Sequence, residues 1–319
     1  MPPDDPPAGS PLATRGSSLH LHGFLVVDKP AGWTSFDVVA RARRLLGERK
    51  IGHAGTLDPA ATGVLPLAVG SATRVLEFLA VTSKTYRAEV AFGVETDSHD
   101  ADGRVTAVAS PAALDAEAIV AALPQFRGDI LQVPPMHAAI KVNGQRLYEL
   151  ARRGIEIERA PRPLTVHALD LCDWDPTTAT ATLLIDSSKG FYVRALARDL
   201  GQALGVGAHL ADLVRLRTGP FTLEDAVTMA ELAELAAAGL PGIWPDLAIH
   251  PDAAIIDWPA LLLDDAATLA WRQGTPIPAV GEVRGPVRAY DPAGTWLGVG
   301  VGDEVSGAWR PSKVVGNAA

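Results

Sequence analysis

A single cysteine, Cys172, stands in 319 residues. That excludes an internal disulfide framework and a multi-cysteine metal site, suits a reducing cytoplasm, and makes Cys172 a small packed residue. Long apolar runs are missing too, since none reaches the roughly 18 residues a membrane-spanning helix needs. No glycine run precedes a Lys-Ser/Thr pair, so the phosphate loops of nucleotide-binding folds are absent. No internal repeat is visible. Positive charge is in deficit, with 28 Lys/Arg against 37 Asp/Glu and a net charge of −9; taken alone, this argues against a polyanionic partner. Met1 to Ser18 holds five prolines and no apolar core of a signal peptide, so residues 1–19 are expected to form a disordered tail.

What remains is a globular composition, 48% hydrophobic and 20% charged, long enough for about two domains. Gly23 to Asp28 reads as a short buried strand, followed by a Lys29-Pro30-Ala31-Gly32 turn. Thr34 or Ser35 then caps a helix with Val38, Ala42, Leu45 and Leu46 on one face and Gly47 near its end. A second short helix from about Ser71 turns Val75, Leu76 and Leu79 inward. Lys84 to Gly93 alternates cleanly, placing Tyr86, Ala88, Val90 and Phe92 on the buried face of a strand. Further elements are a helix over Asp115 to Leu123, a strand over Thr180 to Ile185, and a helix that buries Leu196, Leu200 and Leu204. From about Ile255 short apolar runs alternate with Gly and Pro, as in a small all-β module after a linker near 245–251.

The densest chemical signal is Gly52-His53-Ala54-Gly55-Thr56-Leu57-Asp58-Pro59-Ala60-Ala61-Thr62-Gly63. Three glycines permit backbone angles and close approaches that side chains forbid, and Pro59 stiffens the chain beside the one carboxylate. Asp58 is therefore expected on a rigid, irregular loop, a common setting for an active-site acid. Asp58 as an ordinary helix-capping turn residue is the plain alternative. Thr96 to Gly103 is an acidic loop that lacks the register and closing glutamate of a calcium site, so no metal is expected there. The charge is also unevenly spread. Lys141 to Arg162 holds six bases against three acids, Lys189 to Arg217 five against two, and Pro251 to Ala319 five against eight. Local basic patches of this kind bind phosphates whatever the net charge.

In order along the chain come Asp28-Lys29-Pro30-x-Gly32-x-Thr34-Ser35, the Gly52–Gly63 block, Lys84-x-Tyr86 and Asp100-x-Asp102-Gly103. Arg127-Gly128, Pro134-Pro135-Met136-His137-Ala138-Ala139-x-Lys141, Ser188-Lys189-Gly190-x-Tyr192-x-Arg194 and Gly207-Ala208-His209 follow. Together they resemble the TruB family of bacterial tRNA pseudouridine synthases over about residues 20–319, least in the last third. The resemblance implies an α+β pseudouridine-synthase fold, with a mixed, largely antiparallel sheet and flanking helices over residues 20–250. An insertion at about 131–163 would bind the T arm of tRNA, and residues 252–316 would form a small PUA-like RNA-binding barrel.

The activity so implied is isomerisation of uridine to pseudouridine at position 55 in the T loop, without metal or other cofactor, obligatory protein partner or membrane, by a cytoplasmic monomer. Asp58 matches the family nucleophile, Arg194 the arginine paired with it, and Tyr86 the tyrosine that stacks on the flipped base. Tyr192 and Leu213 match residues lining the uridine pocket, His53 a histidine that enters the T loop, and Asp100 a loop-contacting aspartate. Lys29 matches the lysine of the Lys-Pro turn beneath the site. The resemblance also assigns phosphate contacts to the bases of Lys189–Arg217. The family pattern has two adjacent arginines after the leucine, whereas here Val214 intervenes before Arg215. Two other readings stay open, an aspartate-nucleophile phosphatase and a non-catalytic tRNA-binding or tRNA-folding protein. The phosphatase reading wants Asp-x-Asp-x-Thr, and after Asp58 the second carboxylate is missing.

Overall fold

In a computed structural model the chain is described over residues 21–136, 141–142, 145–147, 155, 157–279 and 283–315. Strand β1 (Gly23–Lys29) leads through the Lys-Pro turn into a helix over Ser35–Leu46. Thr34 caps that helix in a capping box with Asp37, and Gly47 ends it in the left-handed conformation. Strands β2 (Ile51–His53) and β3 (Thr62–Val69) flank the glycine-rich loop. A short 3-10 turn and the Leu76–Ala80 helix precede β4 (Lys84–Phe92) and the hairpin of β5 (Val94–Thr96) and β6 (Val105–Val108). An Asp115-capped helix, Ala116–Ala122, is followed by β7 (Gly128–Gln132) and the two-residue strands β8 (Lys141–Val142) and β9 (Gln145–Arg146).

The long β10 (Arg162–Asp175) and β11 (Thr180–Ser187) precede the Val193–Ala203 helix. Next come β12 (Ala208–Thr218), β13 (Phe221–Thr222) and β14 (Ala226–Thr228). The Met229–Leu247 helical segment breaks at Gly239, whose φ of 115° is non-helical. The linker expected near 245–251 is therefore shorter than the sequence suggests. Pro245, at the start of that expected linker, lies within the helical segment restarted after Gly239.

Ten of these fourteen strands form one sheet in the order β14-β1-β3-β12-β4-β11-β10-β7, with β2 beside β3 and β13 beside β12, while β5–β6 and β8–β9 pair separately. Only the β1–β14 and β3–β12 pairs are parallel, so the expected mixed, largely antiparallel sheet is present. β1 shows why its sequence is continuously apolar. Leu25 and Val27 pack on the helix side with Val38 and Ala42, while Phe24 and Val26 pack on the opposite side with Val75, Leu79 and Phe221. A third cluster joins Tyr86, Ala88 and Val90 to Leu183, Ile185, Leu196 and Leu200.

The C-terminal region is a five-stranded sheet ordered β15 (Ala260–Leu262), β17 (Pro286–Tyr290), β18 (Trp296–Asp303), β19 (Ala308–Val314) and β16 (Ile277–Pro278). It carries one helix, Asp265–Arg272, whose Trp271 fills its interior. Trp296 and Val299 face the other way, into the Phe24 cluster of the large sheet, and Phe78 meets Trp258 edge-on at 4.8 Å. Cys172 corrects the sequence reading. It is exposed, on β10 beside a register shift between Leu171 and Asp173 that disturbs the inward alternation. No helix among the described residues is long and apolar enough to cross a membrane.

Candidate active site

The loop bearing Asp58 is clamped by the block around Lys29. Gly32 N donates to Pro59 O at 2.8 Å, and Lys29 Nζ reaches the same carbonyl at 3.1 Å and Pro30 O at 2.8 Å. Ser35 points inward, accepting from Leu57 N at 2.9 Å; Thr34 takes the capping role. Gly63 N donates to Asp28 Oδ1 at 3.1 Å. Asp58 thus sits on the stiff loop its neighbours predict. Lys29 is fully buried, and desolvation pushes its ammonium down to about 8 against the pull of Asp58.

Asp58 opens onto a cleft of about 290 Å³ floored by β4 and β12. Arg194, in the first turn of the Val193–Ala203 helix, pairs with Asp58 Oδ2 at 2.9 Å and with Asp100 Oδ2 at 3.3 Å. The arginine side chain is only 6% exposed, whereas that of Asp58 is 44% exposed and faces the cleft. Desolvation by the cleft walls holds the Asp58 carboxyl above the usual carboxylate range; Arg194 opposes this and the Asp100 charge adds to it. A buried, doubly paired guanidinium thus aims a carboxylate that is costly to ionise.

Tyr86, Tyr192 and Leu213 complete the apolar wall. Tyr86 is buried, and its phenol is raised chiefly by desolvation. Tyr192 is fixed by Gln132, whose amide accepts from Tyr192 N at 2.8 Å and donates to Tyr192 O at 3.0 Å. Lys84 also lines the cleft; its ammonium donates to Thr82 O at 2.9 Å, and burial lowers it to about 8.

Among the sequence-derived candidates, Asp58, Arg194, Tyr86, Tyr192 and Leu213 converge on the cleft. Lys29 and Asp100 stand behind it, one supporting the loop and the other Arg194. His53 lies on β2 outside the lining; its half-buried imidazole is lowered by burial and by Arg215, and its Nδ1 has no partner among the described residues. The basic stretch Lys141–Arg162 falls partly outside the described residues, which leave out 143–144, 148–154 and 156.

Lys189–Arg217 is not the basic surface its charge count suggests. Arg194 is committed to two carboxylates, Arg215 is 1% exposed, and Arg217 pairs with Asp186 at 2.5 Å. The residues that sequence reasoning missed are Arg215, Gln132 and the inward role of Ser35. Gln132 carries no signal, because its partner lies 60 positions away.

The mixed sheet with its flanking helices has the pseudouridine-synthase fold, and its cleft holds one aimed carboxylate between aromatic side chains. Solved structures bear out the fold. A chain of a Cbf5-Nop10-Gar1 complex superposes with a TM-score of 0.72 at 26% identity, covering 93% of this chain and 86% of that one. A chain of the archaeal box H/ACA sRNP Nop10-Cbf5 complex gives 0.70 at 26%, covering 94% and 88%.

The family model described as TruB family pseudouridylate synthase, N-terminal domain, matches residues 43–193. The tRNA pseudouridylate synthase B C-terminal domain matches 194–240. Proteins named tRNA pseudouridine synthase B are 48% identical in Gloeobacter violaceus, covering 81% of this chain and 87% of that one, and 48% identical in Symbiobacterium thermophilum, covering 80% and 83%. The one from Dechloromonas aromatica is 44% identical, covering 88% and 91%. The chain belongs to the TruB family of pseudouridylate synthases.

Proposed function

We propose that this chain isomerises uridine to pseudouridine in tRNA, at position 55 of the T loop, with Asp58 as the nucleophile. The observation that carries the assignment of Asp58 is the pair of that carboxylate with buried Arg194 in the cleft between Tyr86 and Tyr192. The reaction breaks the N1–C1′ bond, turns the base and joins C5 to C1′, so nothing is oxidised or hydrolysed. A carboxylate that bonds transiently to the nucleoside divides this into two easier steps. Its ionised form is needed, and Arg194 supports that form against desolvation.

A base in a folded loop must leave its stack to be reworked, and aromatic faces receive it. Tyr86 and Tyr192 supply such faces and Leu213 an apolar edge. His53, beside the cleft rather than in it, suits the place vacated by the base. Asp100 acts through Arg194, and Lys29 through the Asp58 loop. Residues 20–250 serve as the catalytic domain, 252–316 as a PUA-like RNA-binding domain, and about 131–163 as the T-arm clamp. Identity near 48% to proteins named tRNA pseudouridine synthase B, against 26% to chains of the H/ACA assemblies, supports action without a protein partner, and the chain is read as a cytoplasmic monomer.

The test uses unmodified tRNA transcript tritiated at uracil C5. Wild type is expected to release tritium and Asp58→Asn none, with tRNA affinities within about threefold of each other. Tight binding without release by folded wild type would leave a tRNA-binding protein instead.

A further inference from the structure

Gln132 is 3% exposed and ends β7, where its backbone lies in register with Arg162 at the start of β10. A buried amide needs partners, and among the described residues both of its partners are groups of one residue, Tyr192. Its Oε1 accepts from Tyr192 N at 2.8 Å and its Nε2 donates to Tyr192 O at 3.0 Å. Tyr192 is extended, with φ −112° and ψ 108°, so its N–H and C=O point the same way. A carboxamide can then hold both, as the facing residue of an antiparallel strand would. The bond to the N–H restrains φ and the bond to the C=O restrains ψ, which together fix the peptide planes on both sides of the Tyr192 Cα.

Tyr192 is also the N-cap of the Val193–Ala203 helix, and its own side chain caps nothing. Phe191 and Val193 on either side belong to the core cluster, which turns the Tyr192 ring to the cleft. Two residues on, Arg194 holds Asp58. Packing does not require the amide, because Leu196, Ala197 and Leu200 seat the helix in the core whether or not Gln132 holds its first residue. What the amide adds is the direction in which the Tyr192 ring and the Arg194 side chain leave the helix start. We propose that Gln132 is a positioning residue for the isomerisation, acting through the Tyr192 peptide to fix one aromatic face of the cleft and the aim of Arg194. This rests on the proposed isomerase activity. Gln132 is not among the residues that line the cleft, so it touches no substrate.

Gln132→Glu separates this role from a structural one, since the shape stays and only a proton is gained or lost. The neutral acid reproduces the amide, its C=O accepting from Tyr192 N and its O–H donating to Tyr192 O. The ionised acid has acceptors only and sets a negative oxygen against the Tyr192 carbonyl. Single-turnover tritium release at saturating enzyme is measured from pH 5 to pH 8 and divided by the wild-type rate at each pH, which cancels the limb common to both. The quotient is expected to fall about tenfold or more as the buried carboxyl ionises. Gln132→Leu, close in size and without either bond, is expected to lose about 100-fold at every pH, with tRNA affinity within about threefold of wild type. A flat quotient for Gln132→Glu overturns the proposal, as does a Gln132→Leu rate within about threefold of wild type.

Should both variants fail to fold, deuterium exchange at the Tyr192 amide of the wild type decides. It is expected to be as slow as at Leu196 inside the helix, and exchange more than about 100-fold faster than there overturns the proposal. Exchange reports on the hold of Gln132 whatever the activity, and wild-type tritium release reports separately on the isomerase reading.

Discussion

Asp58 shows what the site asks of a single residue. Its carboxyl sits above the ordinary range because desolvation outweighs its arginine partner. A carboxyl raised in the folded state holds its proton more tightly there than in the unfolded chain. Its ionisation therefore withdraws stability as pH rises through the raised value. Asp58→Asn is expected to leave the thermal midpoint at pH 8 unchanged or higher while removing turnover. A drop beyond about 3 °C, roughly 1 kcal/mol for a chain of this size, would mark the carboxylate as a structural element instead. Turnover has the opposite dependence. If ionised Asp58 is required, kcat/KM falls as pH drops through its raised value. Arg194→Lys, with a weaker hold on both carboxylates, is expected to move that acid limb to higher pH in a pH–rate profile.

At the scale of elements, the first sequence block exists to hold the second. Lys29, Gly32 and Ser35 hold the Asp58 loop. Lys29→Met is expected to take the lysine donor from Pro30 O, to leave Pro59 O with Gly32 N alone, and to cost on the order of 1–3 kcal/mol in urea unfolding. Gly63 has a φ of 98° at the point where β3 touches β12. Gly63→Ala should cost at least as much, from backbone strain on the order of 1–3 kcal/mol plus the clash with Arg215 O.

These elements also show what could be read in advance. The alternation around Tyr86, the apolar stripe from Val38 to Leu46 and the Asp58 loop all follow from local pattern, because period and turn chemistry are properties of neighbours. The clamp of Gln132 on Tyr192 and the burial of Arg215 are not local. Each is decided by segments far apart in the chain, so a count of basic residues mistook interior arginines for a phosphate-binding surface. Thr34 and Ser35 stand between the two cases. Either can cap a helix, and only the packed loop shows that Ser35 faces inward.

Across the whole molecule, the C-terminal sheet shares a core with the large sheet through Trp296, Val299 and Trp258. Trp296→Ala is expected to cost about 3–5 kcal/mol in denaturant unfolding, although it lies outside the cleft, and to leave single-turnover tritium release at 25 °C near that of wild type. A variant that lost turnover while keeping its stability would show that the module acts on the cleft rather than through the shared core.

The parallel seam between β3 and β12 consists of two register pairs, Val214 with Thr62 and Arg215 with Gly63, whereas β12 runs along most of β4. The cleft therefore straddles the thinnest rung of the ladder, and a side chain, Arg215, does much of the stitching there, donating to Val64 O and Gly55 O. In amide exchange such a seam is where two cooperative units part before either unfolds. A nucleotide seated in the cleft touches both units at once and would act as an added rung. Substrate should then slow exchange along β3 and β12 together, at positions it never contacts, so that occupancy of the site and cohesion of the molecule rise as one quantity.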